Sequence, residues 1–223
     1  MARDAARSER SRVPAFIEPM LASQARKELP DDPRYASEWK WDGYQAVMRV
    51  ATDGTMRLTS RNDKDFTGRL PILGDAMGDA LEGRQAVLDG EIVALDDHGR
   101  PDFGLLQNYA TSDDVSVAYF VFDVLLLGGQ RLLDEPYERR RAVLEGIEVP
   151  DKNLVAITPS YSHADLSASG MSPADLLDVA KDRGLEGLVV KAIQSTYVPG
   201  RRSPEWIKHP LIQTIEVVVC GWR

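Results

Sequence analysis

Residues 37–46 read SEWKWDGYQA, which sets Lys40 between Trp39 and Trp41 and follows it with Asp42 and Gly43. Lysine normally keeps its ammonium in water and lays only its methylene stem along apolar surface. Here it interrupts an aromatic, strand-like run, with a carboxylate two residues on and a glycine straight after. Either Lys40 is a snorkelling lysine on a half-buried strand, or its amine has a chemical task. A nucleophilic lysine must first lose its proton. With a reference pKa of about 10.4, only about one molecule in a thousand is neutral near pH ~7.5. Apolar walls and a neighbouring cation lower that pKa, whereas an ionised Asp42 close by raises it. The chemical reading therefore asks for walls, which Trp39 and Trp41 are placed to supply, and for a metal ion held by carboxylates elsewhere.

Working outward, residues 35–60 read as a hairpin. YASEWKW and YQAVMRVA are strand-like, Asp53-Gly54 marks a turn and MRLTS returns. LPILGDAMGDALEG has helical spacing at Leu70, Leu73, Met77 and Leu81, with Gly83 at the C-cap. QAVLDGEIVALDDHGRP reads as a second hairpin-like unit, turning at Asp97 to Gly99. VSVAYFVFDVLLL is β-branched and aromatic throughout, the pattern of a strand buried on both faces. PYERRRAVLEGI is a helix opened by Pro136, and SPADLLDVAKDRG another, with Ser172 as N-cap, Pro173 at the first helical position and Gly184 at its end. EGLVVKAI, EWIKH and TIEVVVCGW are further strands. Strands in hairpins with helices between them predict an α+β domain built from antiparallel sheets.

The bulk composition bounds the function. A chain of 223 residues that is 43% hydrophobic and 28% charged fits a soluble globular domain. No apolar run approaches the ~20 residues of a membrane helix. The start, MARDAARSERSR, lacks the apolar core of a secretory signal and reads as a flexible leader over residues 1–13. Cys220 is the single cysteine, so no intrachain disulfide and no CxxC zinc pair can form, and a reducing, cytoplasmic setting is expected. The net charge of −8 argues against a surface that embraces nucleic acid all round. A local basic strip remains in YVPGRRSPEWIKH, where Arg201, Arg202 and Lys208 face one acid, Glu205.

Two carboxylates answer the demand for a metal. Glu91 follows Asp89-Gly90 in LDGEIV, and Glu186 precedes a glycine in EGLVVK. Each lies beside β-branched residues, where an acid is costly without a partner, and carboxylate oxygens with retained waters suit magnesium. Taken singly, every one of these features has an ordinary reading. Asp-Gly is more often a turn than a site, Phe122 is more often plain core, GRR is usually a solvated loop, and a lysine on a strand edge usually prevents aggregation.

Their order along the chain is more specific. Lys40-x-Asp42-Gly43, SRNDKDFT, LDGEIV, YFVFDVL, EGLVVK and EWIKH together resemble the motif series of the covalent nucleotidyltransferases: ATP-dependent DNA ligases, RNA ligases and mRNA capping enzymes. PMLAS, YVPGRRSPEWIK and the closing EVVVCGW draw the likeness toward the ligase module of bacterial DNA ligase D and its standalone relatives, which serve non-homologous end joining. The likeness spans about residues 14–223. It implies a nucleotidyltransferase fold of antiparallel sheets flanked by helices, with ATP bound between the sheets. It also implies that Lys40 attacks the α-phosphate of ATP, releases pyrophosphate and carries AMP to a DNA 5′-phosphate, after which the 3′-hydroxyl at the nick displaces it.

By the same resemblance, backbone groups of Glu38 and Trp39 read adenine, Arg61 and Glu91 hold the ribose and neighbouring phosphate, Phe122 and Val189 cover the two faces of the base, and Lys208 meets the α-phosphate. Glu186, with Glu91, holds Mg2+ or Mn2+. Gln45, Arg201 and Arg202 face DNA. Nicked or broken duplex DNA is the implied substrate, a Ku-type end-binding protein the implied partner, and a monomer near the bacterial nucleoid the implied state. Two positions depart from the family pattern. Gln45 stands where KxDGxR has arginine, and Pro210 stands where the last motif has a second lysine; lacking a backbone donor, Pro210 should end its strand. Residues 14–211 are expected to form the adenylation domain, and 212–223 the first strand toward an OB-fold domain that the chain does not contain. RNA ligase, GTP-using capping enzyme and a catalytically idle nucleotide- or DNA-binding scaffold are the alternative readings of the same residues.

Overall fold

The structure is a computed structural model that describes residues 13, 16–25, 28–109 and 115–211. The expected leader, apart from Val13, and the expected strand over 212–223, with Cys220, lie outside these residues. In chain order the strands are β1 (Leu21–Gln24), β2 (Tyr35–Lys40), β3 (Tyr44–Val50), β4 (Met56–Ser60), β5 (Ala86–Leu95), β6 (Ser116–Leu127), β7 (Gln130–Arg131), β8 (Val155–Ile157), β9 (Ser160–Ser162), β10 (Gly187–Ala192) and β11 (Arg202–Pro210). The α-helices are α1 (Pro71–Leu81), α2 (Phe103–Asn108), α3 (Tyr137–Glu145), α4 (His163–Ala168) and α5 (Pro173–Asp182).

Two sheets result. One runs β1-β11-β10-β2-β9 and the other β4-β3-β5-β6-β7, with β8 added beside β6. The ladders are antiparallel except β1 on β11 and β8 on β6, which are parallel. Three apolar clusters follow from the two faces of each sheet. The first, with Met48, Leu58, Leu88 and Tyr119, packs α1 and α2 under the second sheet. The next, with Val47, Val87, Leu125, Tyr197 and Trp206, fills the space between the sheets. The last, with Trp39, Leu176, Ala180 and Leu188, seats α5 on the outer face of the first sheet. Helix α3 ties into this frame through Arg140, whose guanidinium donates to both oxygens of Asp123 on β6 at 2.8 and 2.9 Å with both side chains buried.

The expected hairpin over residues 35–60 divides in two. β3 and β4 do pair, from Ala46↔Ser60 to Val50↔Met56, but β2 pairs with β10 and β9 in the other sheet. Trp41–Gly43 is thus the crossing between sheets. Its path grazes β5: a Cβ on Gly43 would lie 2.1 Å from the Ile92 carbonyl oxygen, so only glycine passes. The second hairpin-like unit also changes. Asp96 caps its turn by accepting from the backbone N–H groups of His98 and Arg100. The return is then helix α2, capped by Asp102 accepting from Leu105 N–H, because the segment holds only the single bridge Leu95↔Pro101. Asp89-Gly90 is not a turn but mid-strand, paired with β3 and β6 on either side. Elsewhere the expectations stand. β6 is buried along most of its length, α5 starts in a Ser172–Asp175 capping box, and β11 ends at Pro210.

Candidate active site

Strand alternation builds the site. Successive side chains on a strand point to opposite faces, so Glu38 and Lys40 face the space between the sheets while Trp39 faces α5. Trp39 is buried among Leu166, Leu176 and Leu188, edge-on to Tyr161. Trp41 packs edge-on to Phe120. Of the two expected walls, Trp39 instead anchors β2 to the layer behind, whereas Trp41, packed on Phe120 of the opposite sheet, lines the cleft with Lys40. Registers then align the neighbours. Glu38 lies opposite Val189, and Val189 opposite Lys208, in one lateral row. The next row sets Ala36, Lys191 and Trp206 side by side.

The opposing sheet contributes through an irregularity. β5 and β6 keep register from Leu95 to Gly90, where Gly90 pairs with Val121, and then skip to Asp89 with Asp123. Phe122 is the extra residue of this bulge. A bulge redirects a side chain that strict alternation would place elsewhere, and Phe122 reaches the inter-sheet cluster and an edge-on contact with Trp206, 6.5 Å between centroids.

Between the sheets lies a cleft of about 740 Å3, within the usual range of small-molecule sites. Glu38, Trp39, Lys40, Gln45, Arg61 and Glu91 line it, with Phe122, Val189, Arg202 and Lys208. Glu186 joins them through Lys40, whose ammonium it pairs. Its follower Gly187 has φ +135°, and a Cβ there would lie 2.2 Å from the His209 carbonyl oxygen, so glycine is needed for Glu186 to leave its strand at this angle. Arg201 is exposed and does not line the cleft; its carbonyl accepts from Leu21 N–H. Arg202 lines the rim and donates to the Ala22 carbonyl.

The electrostatics centre on an excess of acids. Burial pushes the Glu91 carboxyl well above its ordinary range; the Lys40 ammonium opposes this, and Asp89, Glu186 and Asp42 add to it. Asp42 is also raised, by partial burial and then by Glu186. Asp89 is wholly buried, and desolvation raises it to about 7 against hydrogen bonds from Tyr197 and Gln45. The Gln45 amide lies 3.2 Å from both Asp89 oxygens, so its donor is turned inward. Among the described residues, no three His, Cys, Asp or Glu side chains converge into a protein-only metal cage. Glu91 and Glu186 beside one ammonium instead fit a hard cation that completes its shell with substrate oxygens and water.

The sequence reading missed Lys191. Its side chain is 2% exposed, and its Nζ lies 2.7 Å from Glu38 Oε2. The signal was available: in GLVVKA, Lys191 shares the parity of Val189, so it faces inward. It missed Tyr137 too, which donates to the other Glu38 oxygen; nothing in a helix-opening tyrosine announces that contact.

Two curled sheets facing across a cleft, with a lysine at the end of one and acids around it, define a nucleotidyltransferase-type ligase domain. The family described as ATP dependent DNA ligase domain matches residues 19–209, and the chain belongs to it. It is 37% identical to the multifunctional non-homologous end joining protein LigD of Mycolicibacterium smegmatis over 97% of this chain and 27% of that protein. Against LigD of Pseudomonas aeruginosa it is 37% identical over 94% of this chain and 24% of that protein. The chain thus spans about a quarter of the length of these curated relatives. A solved structure of mycobacterial DNA ligase D complexed with ATP and MES superposes with a TM-score of 0.71 at 31% identity, covering 87% of this chain and 60% of that one.

Proposed function

We propose that this chain is the adenylation core of an ATP-dependent DNA ligase, with Lys40 as the nucleophile. One observation carries the reading: Lys40 ends β2 on the cleft face, paired with Glu186 and beside Glu91, in the same cleft as Phe122, Val189 and Lys208. ATP enters with adenine between Phe122 and Val189 and its edge against the backbone of Glu38 and Trp39. Arg61 and Glu91 hold the ribose side, and Lys208 meets the α-phosphate. The Lys40 amine, once it has released its proton to solvent, bonds to the α-phosphorus, and the bond to pyrophosphate breaks. AMP then passes from Lys40 to a DNA 5′-phosphate, and a 3′-hydroxyl displaces it as the strand is sealed. Charge builds on the non-bridging phosphate oxygens during each transfer, so the fixed cation of Lys208 stabilises the transition state. Glu91 and Glu186 would hold Mg2+ or Mn2+, which supplies further neutralisation of phosphate charge when bound.

Arg201, Arg202 and Gln45 are assigned to the DNA side, with nicked or broken duplex as substrate. End joining with a Ku-type partner, action as a monomer and a nucleoid location extend the same reading. Among the described residues no helix is long and apolar enough to cross a membrane. Incubation with ATP labelled at the α-phosphate tests the core claim. One label should appear per chain, peptide mass spectrometry should place AMP on Lys40, and Lys40→Ala should abolish it. Label that persists in Lys40→Ala, or none in the wild-type chain with either metal, overturns the assignment.

A further inference from the structure

Lys191 and Glu38 form a buried ion pair that the nucleophile does not touch. The two side chains are 2% and 3% exposed and lie 2.7 Å apart. Replacing such a pair by apolar residues is often neutral or stabilising, because both ions must leave water. Stability alone therefore gives no reason to keep it. Its surroundings do. The Lys191 ammonium lies 4.7 Å from the centroid of the Phe122 ring, 4.1 Å from that of Trp206 and 5.1 Å from that of Tyr137. It also donates to the Phe122 carbonyl at 3.4 Å. Phe122 belongs to one sheet, and Lys191, Glu38 and Trp206 to the other. One cation thus links the aromatic wall of the cleft to the acid at its edge.

Glu38 is held at both oxygens. Oε2 faces Lys191 and Oε1 accepts from Tyr137, whose hydroxyl is fixed in turn by Ser160 at 2.8 Å. A carboxylate has about four lone-pair sites, so two such contacts leave accepting capacity. Glu38 lines the cleft and is paired in register with Val189, opposite the Phe122 wall. A purine between Phe122 and Val189 would present its edge to this carboxylate. An amino group at position 6 donates to it; an oxo group there meets a second acceptor and is repelled.

We propose that Lys191 is a positioning residue that sets nucleotide selectivity: it holds the Glu38 carboxylate and the Phe122 ring in place across the cleft, so that 6-aminopurine nucleotides are taken over 6-oxopurine ones. This rests on the nucleotidyl-transfer reading above and adds a residue to it. The test compares ATP and GTP, each labelled at the α-phosphate, as donors to the full chain, in wild type, Lys191→Met and Lys191→Arg. The wild type should prefer ATP. Lys191→Met should narrow the ATP-over-GTP ratio by about tenfold or more, the scale of discrimination lost when a polar contact goes unmade. Lys191→Arg, which keeps a cation, should restore most of it.

A purely structural role for Lys191 predicts something else: both donors slow together in Lys191→Met, the melting temperature falls, and the ratio stays put. That result, or a wild type indifferent to the two nucleotides, overturns the proposal. Should Lys191→Met fail to fold, Glu38→Gln reads the same edge, and an unchanged ratio there overturns it equally. If the wild-type chain takes no label at all, the nucleotidyl-transfer reading fails by itself. Calorimetric binding of unlabelled ATP and GTP to the same variants then still measures the selectivity ratio.

Discussion

At the scale of the residue, the departure at position 45 has a consequence for Asp89. An arginine there would place a guanidinium beside the buried carboxylate; Gln45 offers only an amide, and Asp89 is raised from 3.8 to about 7. The folded state therefore keeps a proton that the unfolded chain has already released between those values. Stability from this group is fully present below about pH 4 and is lost as pH rises toward and through about pH 7. Chemical denaturation across that interval should show wild-type stability falling with pH more steeply than that of Asp89→Asn. Gln45→Arg should flatten the dependence in the same way by favouring the ionised form. Gly43 makes a sharper prediction. The Ile92 carbonyl oxygen would sit 2.1 Å from any Cβ, so Gly43→Ala must displace backbone on β5 next to Glu91. Its circular dichroism should remain folded while label transfer to Lys40 drops by orders of magnitude, as small misplacements of reacting groups do.

At the scale of the element, the bulge in β6 and helix α3 act together. Phe122 reaches the cleft because β6 slips register there, and Asp123, the next residue, is gripped by Arg140 of α3. Removing one partner of a buried pair strands the other charge at a cost of about 3–5 kcal/mol. Arg140→Ala should lose about that much stability in urea titrations, and its residual fold should bind ATP more weakly than wild type. Phe122→Ala separates the two effects. It leaves the Arg140 pair intact and removes the stacking surface, so ATP affinity measured by calorimetry should fall by about 1–3 kcal/mol with little change in the urea midpoint. Weakened binding confined to Arg140→Ala would show that the ring itself contributes nothing.

At the scale of the whole molecule, the proposed nucleotide site draws its two base-covering walls from different sheets, Phe122 from one and Val189 from the other. A ligand seated there would tie the sheets together. At about one hundred times its dissociation constant it should stabilise the fold by about 2.7 kcal/mol. Hydrogen exchange should show the added protection in both β6 and β10, on opposite sides of the cleft. Protection confined to one sheet would place the nucleotide elsewhere. Lys40→Ala should keep this effect, since the walls and not the nucleophile make the bridge.

Local signals in the chain were enough for much of this. Alternation, capping residues and turn dipeptides marked β3, β4, β6, α1 and α5, because each depends on neighbours a few residues away. The ordered motifs singled out Lys40, Glu91 and Glu186, which the fold brings together: Lys40 and Glu91 line one cleft, and Glu186 pairs with Lys40. Three features were settled only by tertiary structure. The crossing at Trp41–Gly43 depends on which sheet receives the next strand, a choice made by packing between segments far apart in sequence. The reach of Phe122 depends on a register slip that no period-two pattern encodes. The Lys191–Glu38 pair joins residues 153 positions apart by numbering (191 − 38), and burial makes it matter: a charge whose partner lies on a neighbouring strand has no local signature, yet its desolvation cost is decided wholly by whether that partner arrives.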